Sequence, residues 1–113
     1  MSEETLCCIF KSNISKKEDF PKKQFEVVKD YGDVGGPNDC SRALLKCSLC
    51  GKLFLYQFLE YEAGGEDYYY HTYIQVESEV QADELNAKTN WVTIDKYSPA
   101  IRINAGGTAV FYK

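Results

Sequence analysis

The chain has 113 residues, of which 44% are apolar and 14% aromatic, and its formal net charge is −4. This length suits one domain with a single hydrophobic core, and the apolar content excludes a chain that is disordered by composition. The longest apolar run, residues 53–59, is too short to span a bilayer, so no membrane partner is expected. The high aromatic content favours strands over helices.

Taken in chain order, apolar runs and turn-forming residues predict a series of hairpins. Residues 5–10 form either a short strand or the start of a helix, and residues 11–23 form a flexible basic loop. Ser78 and Gln81 have the spacing of a capping box, which predicts a helix over residues 79–88. Strands are predicted at residues 25–31, 42–46, 52–62, 68–76 and 91–94, with a C-terminal hairpin joining 101–103 to 108–112.

These elements predict the α+β class for a single domain over residues 1–113. Sequential hairpins indicate a mostly antiparallel sheet of five to seven strands, with one or two short helices. The strand at 52–62 is apolar or aromatic on both faces. It is therefore either central and covered on both sides, or it presents an aromatic face to a partner.

Two cysteines, Cys47 and Cys50, lie between two strand-like runs and are followed by Gly51. We call residues 47–51 the knuckle, because a glycine at this position suits the positive φ of a tight turn. Such a knuckle can supply half of a tetrahedral zinc site. The candidate third and fourth ligands are Cys40 and the only histidine, His71.

The remaining cysteines, Cys7 and Cys8, are adjacent. Neighbouring side chains on a strand point to opposite faces, so this pair is expected to be two small buried hydrophobes that do not share one metal. A thioredoxin-type role for the knuckle is disfavoured because that motif opens a helix. A Cys50–His71 nucleophile pair stays open as an alternative, but nothing in the sequence marks it, and no enzyme is predicted.

The first four residues are acidic and have no basic region ahead of an apolar one, which argues against a secretory signal. We therefore expect a cytoplasmic protein. In that compartment the five cysteines are expected to be reduced thiols or metal ligands rather than a disulfide framework.

Charge is distributed unevenly along the chain. Residues 11–29 contain six lysines and three acids, whereas residues 53–87 contain eight acids and neither lysine nor arginine. The acidic third repels nucleic acid and suits a cationic partner, although a solvated face that keeps the protein soluble is the plain alternative. Tyrosine is enriched at protein interfaces. The predicted partner-binding residues are therefore Glu60, Tyr61, Glu62, Glu66, Asp67, Tyr68, Tyr70 and Tyr73.

Three runs of the chain resemble small bacterial immunity proteins, which are encoded beside polymorphic or contact-dependent growth-inhibition toxins. The runs are Asp-Tyr-Gly-Asp-Val-Gly-Gly at residues 30–36, the segment around the knuckle at residues 44–56, and Tyr-Glu-Ala-Gly-Gly-Glu-Asp at residues 61–67. The resemblance implies a cytoplasmic antidote that binds one cognate toxin domain, often a nuclease, and blocks its active site. The resemblance assigns no functional residues to this chain.

Two functions are therefore expected. The first is neutralisation of a toxin domain, a basic nuclease, through the acidic and tyrosine-rich surface. The alternative is a zinc-ribbon-like regulatory or interaction module built on the Cys47-x-x-Cys50 knuckle.

Overall fold

A computed structural model describes residues 5–35 and 39–113 as an antiparallel sheet with one α-helix and several short 3-10 helices. The strands lie in the sheet in chain order, and every neighbouring pair is antiparallel. The predicted α+β class is thereby confirmed. The elements are β1 (Phe25–Asp33), β2 (Asp39–Cys47), β3 (Leu53–Ala63), β4 (Glu66–Val76), α1 (Glu79–Lys88), β5 (Ala100–Ile103) and β6 (Ala109–Tyr112).

The sheet is covered on both faces, which explains why β3 is apolar on both. On the helix face, α1 and the 3-10 helix Thr93–Lys96 cover the sheet. On the opposite face, which we call the N-terminal face, the N-terminal segment (residues 5–24) lies across the strands. The helix-face core is Leu44, Leu55, Ile74, Val76, Ala82, Leu85, Ile94 and Ala100. The N-terminal-face core is Cys7, Ile9, Phe10, Phe20, Leu45, Cys47, Phe54, Tyr73, Ile101, Ile103 and Ala109.

Helix α1 begins at the predicted residue. The Ser78 hydroxyl oxygen accepts a hydrogen bond from the Gln81 backbone N–H at 3.1 Å. The Gln81 side-chain oxygen in turn accepts from the backbone N–H of Glu77 at 2.6 Å, one residue before the cap. Two backbone donors at the start of the helix are thus satisfied by side chains. None of the helices in the described residues is long and apolar enough to cross a membrane.

The prediction of a strand at residues 91–94 is wrong. The Asn90 side-chain oxygen accepts hydrogen bonds from the backbone N–H groups of Val92 and Thr93, at 2.9 and 2.8 Å. The chain then forms the 3-10 helix Thr93–Lys96. An asparagine that bonds the backbone just after it competes with strand formation, and here it outweighs the β-branched residues that favour a strand.

The basic stretch at residues 11–23 contains short helical turns rather than a continuous loop. It is also hydrogen bonded to the start of β6 and the turn before it. The Lys17 backbone N–H donates to the Gly107 carbonyl at 2.7 Å, and the Ala109 N–H donates to the Ser15 carbonyl at 2.9 Å. Residues 1–4 and 36–38 lie outside the described residues.

Candidate metal centre

The turn between β2 and β3 forms the predicted knuckle. The Cys47 backbone N–H donates to the Lys52 carbonyl at 2.9 Å, and its own carbonyl accepts from the Gly51 N–H at 2.8 Å. Gly51 has a φ of 79°, a conformation that residues with a Cβ rarely adopt. This turn buries the Cys47 side chain completely and leaves Cys50 exposed.

The N-terminal segment brings two further thiols to the knuckle. The Cys7 Sγ lies 3.3 Å from the Cys50 Sγ, and the Cys8 Sγ lies 3.8 Å from the Cys47 Sγ. All four sulfurs lie within 4.8 Å of one another, and we call them the four-thiol group. The expectation that Cys7 and Cys8 lie on a strand and point to opposite faces is wrong, because the chain turns at Cys7 into a 3-10 helix that starts at Cys8. Both sulfurs therefore belong to the four-thiol group and are close enough to hold one metal ion.

Gln75 of β4 fixes the start of the N-terminal segment. Its side-chain oxygen accepts from the Cys7 backbone N–H at 2.8 Å, and its side-chain nitrogen donates to the Thr5 carbonyl at 2.6 Å. One amide side chain thus satisfies a backbone donor and a backbone acceptor two residues apart. This pairing holds Cys7 over the sheet beside the knuckle.

Gln24, at the other end of the N-terminal segment, donates to the sulfurs themselves. Its side-chain nitrogen lies 3.2 Å from the Cys47 Sγ and 3.5 Å from the Cys8 Sγ. Its backbone carbonyl accepts from both the backbone N–H and the hydroxyl of Ser48, at 2.8 and 2.9 Å. Both ends of the N-terminal segment are therefore tied to the four-thiol group.

Burial and hydrogen bonding act in opposite directions on these thiols. Burial acts to raise the pKa of Cys47, but hydrogen bonds from Gln24 and from the backbone N–H groups of Cys50 and Leu49 outweigh it and lower that pKa to about 6. Burial raises the pKa of Cys7 well above its ordinary value. The group thus favours a thiolate at Cys47, the form in which cysteine binds metals.

Two of the sulfur–sulfur separations are close to those of a tetrahedral metal site. With zinc–sulfur bonds of about 2.3 Å, the sulfurs of a regular tetrahedron lie about 3.8 Å apart. The Cys8–Cys47 separation equals this value, and the Cys7–Cys50 separation is somewhat shorter. The four-thiol group is therefore close enough to hold a metal ion and is compatible with zinc. Four protein ligands leave no open position, which is the pattern of structural rather than catalytic zinc.

The other ligands proposed from the sequence lie elsewhere. Cys40 is buried near the start of β2, at the opposite end of that strand from Cys47. His71 lies on β4, with its Nδ1 2.7 Å from the hydroxyl oxygen of Tyr56. Neither belongs to the four-thiol group. Sequence reasoning missed Cys7 and Cys8, and the only signal for them was the adjacency of the two thiols.

Three of the four predicted partner-binding tyrosines, Tyr61, Tyr68 and Tyr70, share one face of the β3–β4 hairpin tip. Tyr61 pairs directly with Tyr68, and Leu59 pairs with Tyr70. Directly paired residues share a face, and successive residues alternate, so these four lie on the helix face. The Tyr61 ring also lies 6.4 Å from the Trp91 ring, between centroids. A cavity of about 310 Å³ opens between this aromatic face and residues 91–95.

Most of the predicted acids lie on the opposite face of the same hairpin tip. Glu62 pairs directly with Asp67, and Glu60 pairs with Tyr69. These residues form the acidic face, whereas Glu66 shares its face with the tyrosines. The sequence therefore groups together two surfaces that the sheet separates.

Tyr73 does not belong to either surface. It is 4% exposed, and its ring centroid lies 4.8 Å from that of Phe20 and 5.7 Å from that of Phe25. The N-terminal segment covers this part of β4, so Tyr73 is a core residue rather than a partner contact.

Comparison of the chain with family models, curated proteins and solved structures gives no match, and the four-thiol group is described from its own geometry alone.

Proposed function

We propose that this protein is a small protein-binding module in which a structural zinc ion joins the N-terminal segment to the sheet. The observation that carries the proposal is the convergence of four cysteine sulfurs within 4.8 Å. They come from two parts of the chain, and the paired thiols are 39 and 43 positions apart in the sequence. Such a meeting of distant thiols around one point is what a closed zinc site requires.

Zinc at this position stabilises the folded state directly. The N-terminal segment contributes Cys7, Ile9, Phe10 and Phe20 to the core of the N-terminal face. Structural zinc in small domains contributes about 10–16 kcal/mol of binding free energy, and that energy is available only to the folded chain. A metal that bridges the segment and the knuckle therefore favours docking of the segment over its release.

The test is the zinc content and thermal stability of the purified protein. We expect one zinc ion per chain by elemental mass spectrometry, and a fall in the melting temperature when a chelator removes it. Cys8→Ser and Cys47→Ser are expected to lose the metal. Cys40→Ser is the matched control, because it removes a buried thiol outside the four-thiol group and is expected to retain zinc.

Two results would contradict the proposal. One is protein that stays free of zinc when it is expressed and refolded with zinc present. The other is equal loss of zinc from the Cys40→Ser control and from the Cys47→Ser variant, which would place the metal outside the four-thiol group.

A second candidate function is the neutralisation of a cationic toxin domain through the acidic face of the hairpin. Among the described residues, the end of β3 beyond Glu60 pairs only with β4, so the hairpin tip projects past the neighbouring strands. Glu62 and Asp67 are paired directly, and both are exposed. Their negative charges complement a basic partner surface, and this supports the candidate.

Charge reversal tests this second candidate. We expect Glu60→Lys with Glu62→Lys to slow association with the toxin domain encoded beside the gene by about tenfold or more at low salt. The double variant Glu26→Lys with Glu84→Lys is the control, because it changes the net charge equally at exposed sites away from the hairpin. If both variants slow association equally, or if neither slows it, the acidic face is not part of the interface.

A further inference from the structure

Two sulfur–sulfur contacts of the four-thiol group join the N-terminal segment to the knuckle. The Cys7 and Cys50 sulfurs are 3.3 Å apart, and the Cys8 and Cys47 sulfurs are 3.8 Å apart. Each contact crosses from one segment to the other. The same four residues that bridge these segments through a metal can therefore bridge them through two disulfides.

Access to the four sulfurs is unequal. Cys50 is exposed, Cys8 is half-buried, and Cys7 and Cys47 are fully buried. An oxidant arriving from solvent therefore reaches Cys50 first, and the Cys7 sulfur lies 3.3 Å from the Cys50 sulfur. Oxidation at the exposed position places a resolving thiol from the other segment next to it.

We propose that the four-thiol group is an oxidation site at which hydroperoxides replace the metal with two disulfides, Cys7–Cys50 and Cys8–Cys47. The release of metal in this scheme rests on the proposed zinc function, whereas the disulfide pairing rests on the sulfur positions alone. The oxidised protein then keeps its N-terminal segment fastened to the sheet after zinc has left.

The chemistry balances with one hydroperoxide for each disulfide. The Cys50 thiolate attacks the terminal peroxide oxygen, so a sulfur–oxygen bond forms, the oxygen–oxygen bond breaks, and the peroxide leaves as an alcohol after taking up a proton. The Cys7 sulfur then attacks the sulfenic acid sulfur, so a sulfur–sulfur bond forms and the sulfur–oxygen bond breaks. The departing hydroxide takes up a proton, which the Cys7 thiol supplies in the metal-free protein, and leaves as water. A second hydroperoxide oxidises Cys8 and Cys47 in the same way, and Zn²⁺ leaves without changing its own oxidation state.

The pairing determines whether the segment stays docked. The two cross-segment disulfides would close loops between residues 43 and 39 positions apart. Long loops lose the most chain entropy in the unfolded state, so these bonds stabilise the fold. Of the two other pairings, Cys7–Cys47 with Cys8–Cys50 would also fasten the segment, whereas Cys7–Cys8 with Cys47–Cys50 would leave it free of the knuckle.

Peptide mapping after hydrogen peroxide treatment distinguishes cross-segment disulfides from disulfides within each segment. Trypsin cleaves after Lys11, Lys46 and Lys52, so Cys7 and Cys8 lie on one peptide and Cys47 and Cys50 lie on another. Cross-segment disulfides link these two peptides covalently, whereas disulfides within each segment leave them separate. The double variant Cys8→Ser with Cys47→Ser leaves only the Cys7–Cys50 bond, and Cys8→Ser with Cys50→Ser leaves only the Cys7–Cys47 bond. The first variant is expected to link the peptides faster than the second, and Cys40→Ser controls for the fifth thiol.

We expect two equivalents of hydrogen peroxide to release the bound zinc, measured with a chromogenic indicator, and to yield linked peptides as the main product. The oxidised protein is expected to melt about 10 °C above the reduced metal-free protein. Separate peptides with internal disulfides, or sulfinic acids without linked peptides, would overturn the inference. If the protein binds no zinc, the same mapping on the reduced metal-free chain still decides the pairing, so the two proposals fail separately.

Discussion

His71 lies on the N-terminal face of β4, with the hydroxyl oxygen of Tyr56 2.7 Å from its Nδ1. Burial, together with the positive charges of Lys17 and Lys22, lowers its pKa from 6.5 to about 4. The unfolded chain therefore binds a proton at this histidine between about pH 6.5 and pH 4, while the folded chain does not. Because the unfolded state binds more protons in this window, stability rises with pH across it and is lost as pH falls.

His71→Gln is expected to flatten this pH dependence. Glutamine cannot be protonated in this range, and its oxygen can accept the Tyr56 hydroxyl hydrogen. We expect urea unfolding to show that, between pH 6.5 and pH 4, the free energy of unfolding falls by on the order of 3 kcal/mol more in the wild type than in the variant. Both proteins contain the same cysteines, so metal effects cancel in the difference. Parallel stability curves for the two proteins would contradict the assignment to His71.

Helix α1 is fastened at its C-terminal end by Arg42, a buried cation on β2 that is 1% exposed. Its guanidinium donates to the Gln57 side-chain oxygen at 3.0 Å, to both the backbone and side-chain oxygens of Asn86 at 3.2 Å, and to the Asn90 carbonyl at 3.0 Å. All of these acceptors are neutral, and two are carbonyls at the end of α1 or just beyond it, where the helix dipole favours a cation. Burial lowers the pKa of Arg42, but arginine remains charged.

Arg42→Met is expected to destabilise the fold by about 3–5 kcal/mol in urea unfolding, because the buried oxygens lose their donors and the helix end loses its cap. Zinc content is expected to stay unchanged, since Arg42 lies on the helix face. Arg102→Met is the matched control. Arg102 makes an ion pair with Asp95 at 2.8 Å, but the two side chains are 37% and 34% exposed, so its loss is expected to cost less than about 1 kcal/mol. Similar losses in both variants would contradict the capping role.

At the scale of elements, the sequence predicts well wherever the signal is local. The knuckle, the β3–β4 hairpin and the Ser78 cap each depend on residues a few positions apart, and each is present. The prediction of a strand at residues 91–94 failed because the Asn90 side chain accepts hydrogen bonds from the backbone just after it. The thiol pair Cys7 and Cys8 was missed because the thiols that it meets lie about 40 positions away, and strand alternation was the wrong local geometry.

At the scale of the whole molecule, the surface of the hairpin shows what sequence alone does not provide. Alternation along β3 and β4 assigns Tyr61 and Glu62 to different faces, but it does not say which face is covered. The N-terminal segment decides this by burying Tyr73 while leaving Glu62 exposed. Its docking depends on contacts with distant strands, which no local pattern contains.

The two faces of the sheet have separate cores, and only one includes thiols of the four-thiol group. If zinc occupies the four-thiol group as proposed, its removal is expected to loosen the N-terminal face more than the helix face. The Lys17 and Ala109 amides report on the N-terminal face, because their hydrogen bonds join the N-terminal segment to the β5–β6 hairpin. The Ala82 amide reports on the helix face, because it donates to the Ser78 carbonyl at 3.1 Å within the capped turn of α1.

Hydrogen exchange with and without a chelator measures this difference. We expect exchange at Lys17 and Ala109 to accelerate by about tenfold or more after chelation, and exchange at Ala82 to change by less than about threefold, since amides of one cooperative unit lose protection together. Cys40→Ser with zinc bound is the control for a lost buried thiol and is expected to leave the ratio of the two sites unchanged. Equal acceleration at all three amides would mean that the metal stabilises the domain as one unit, and that the N-terminal segment has no separate opening.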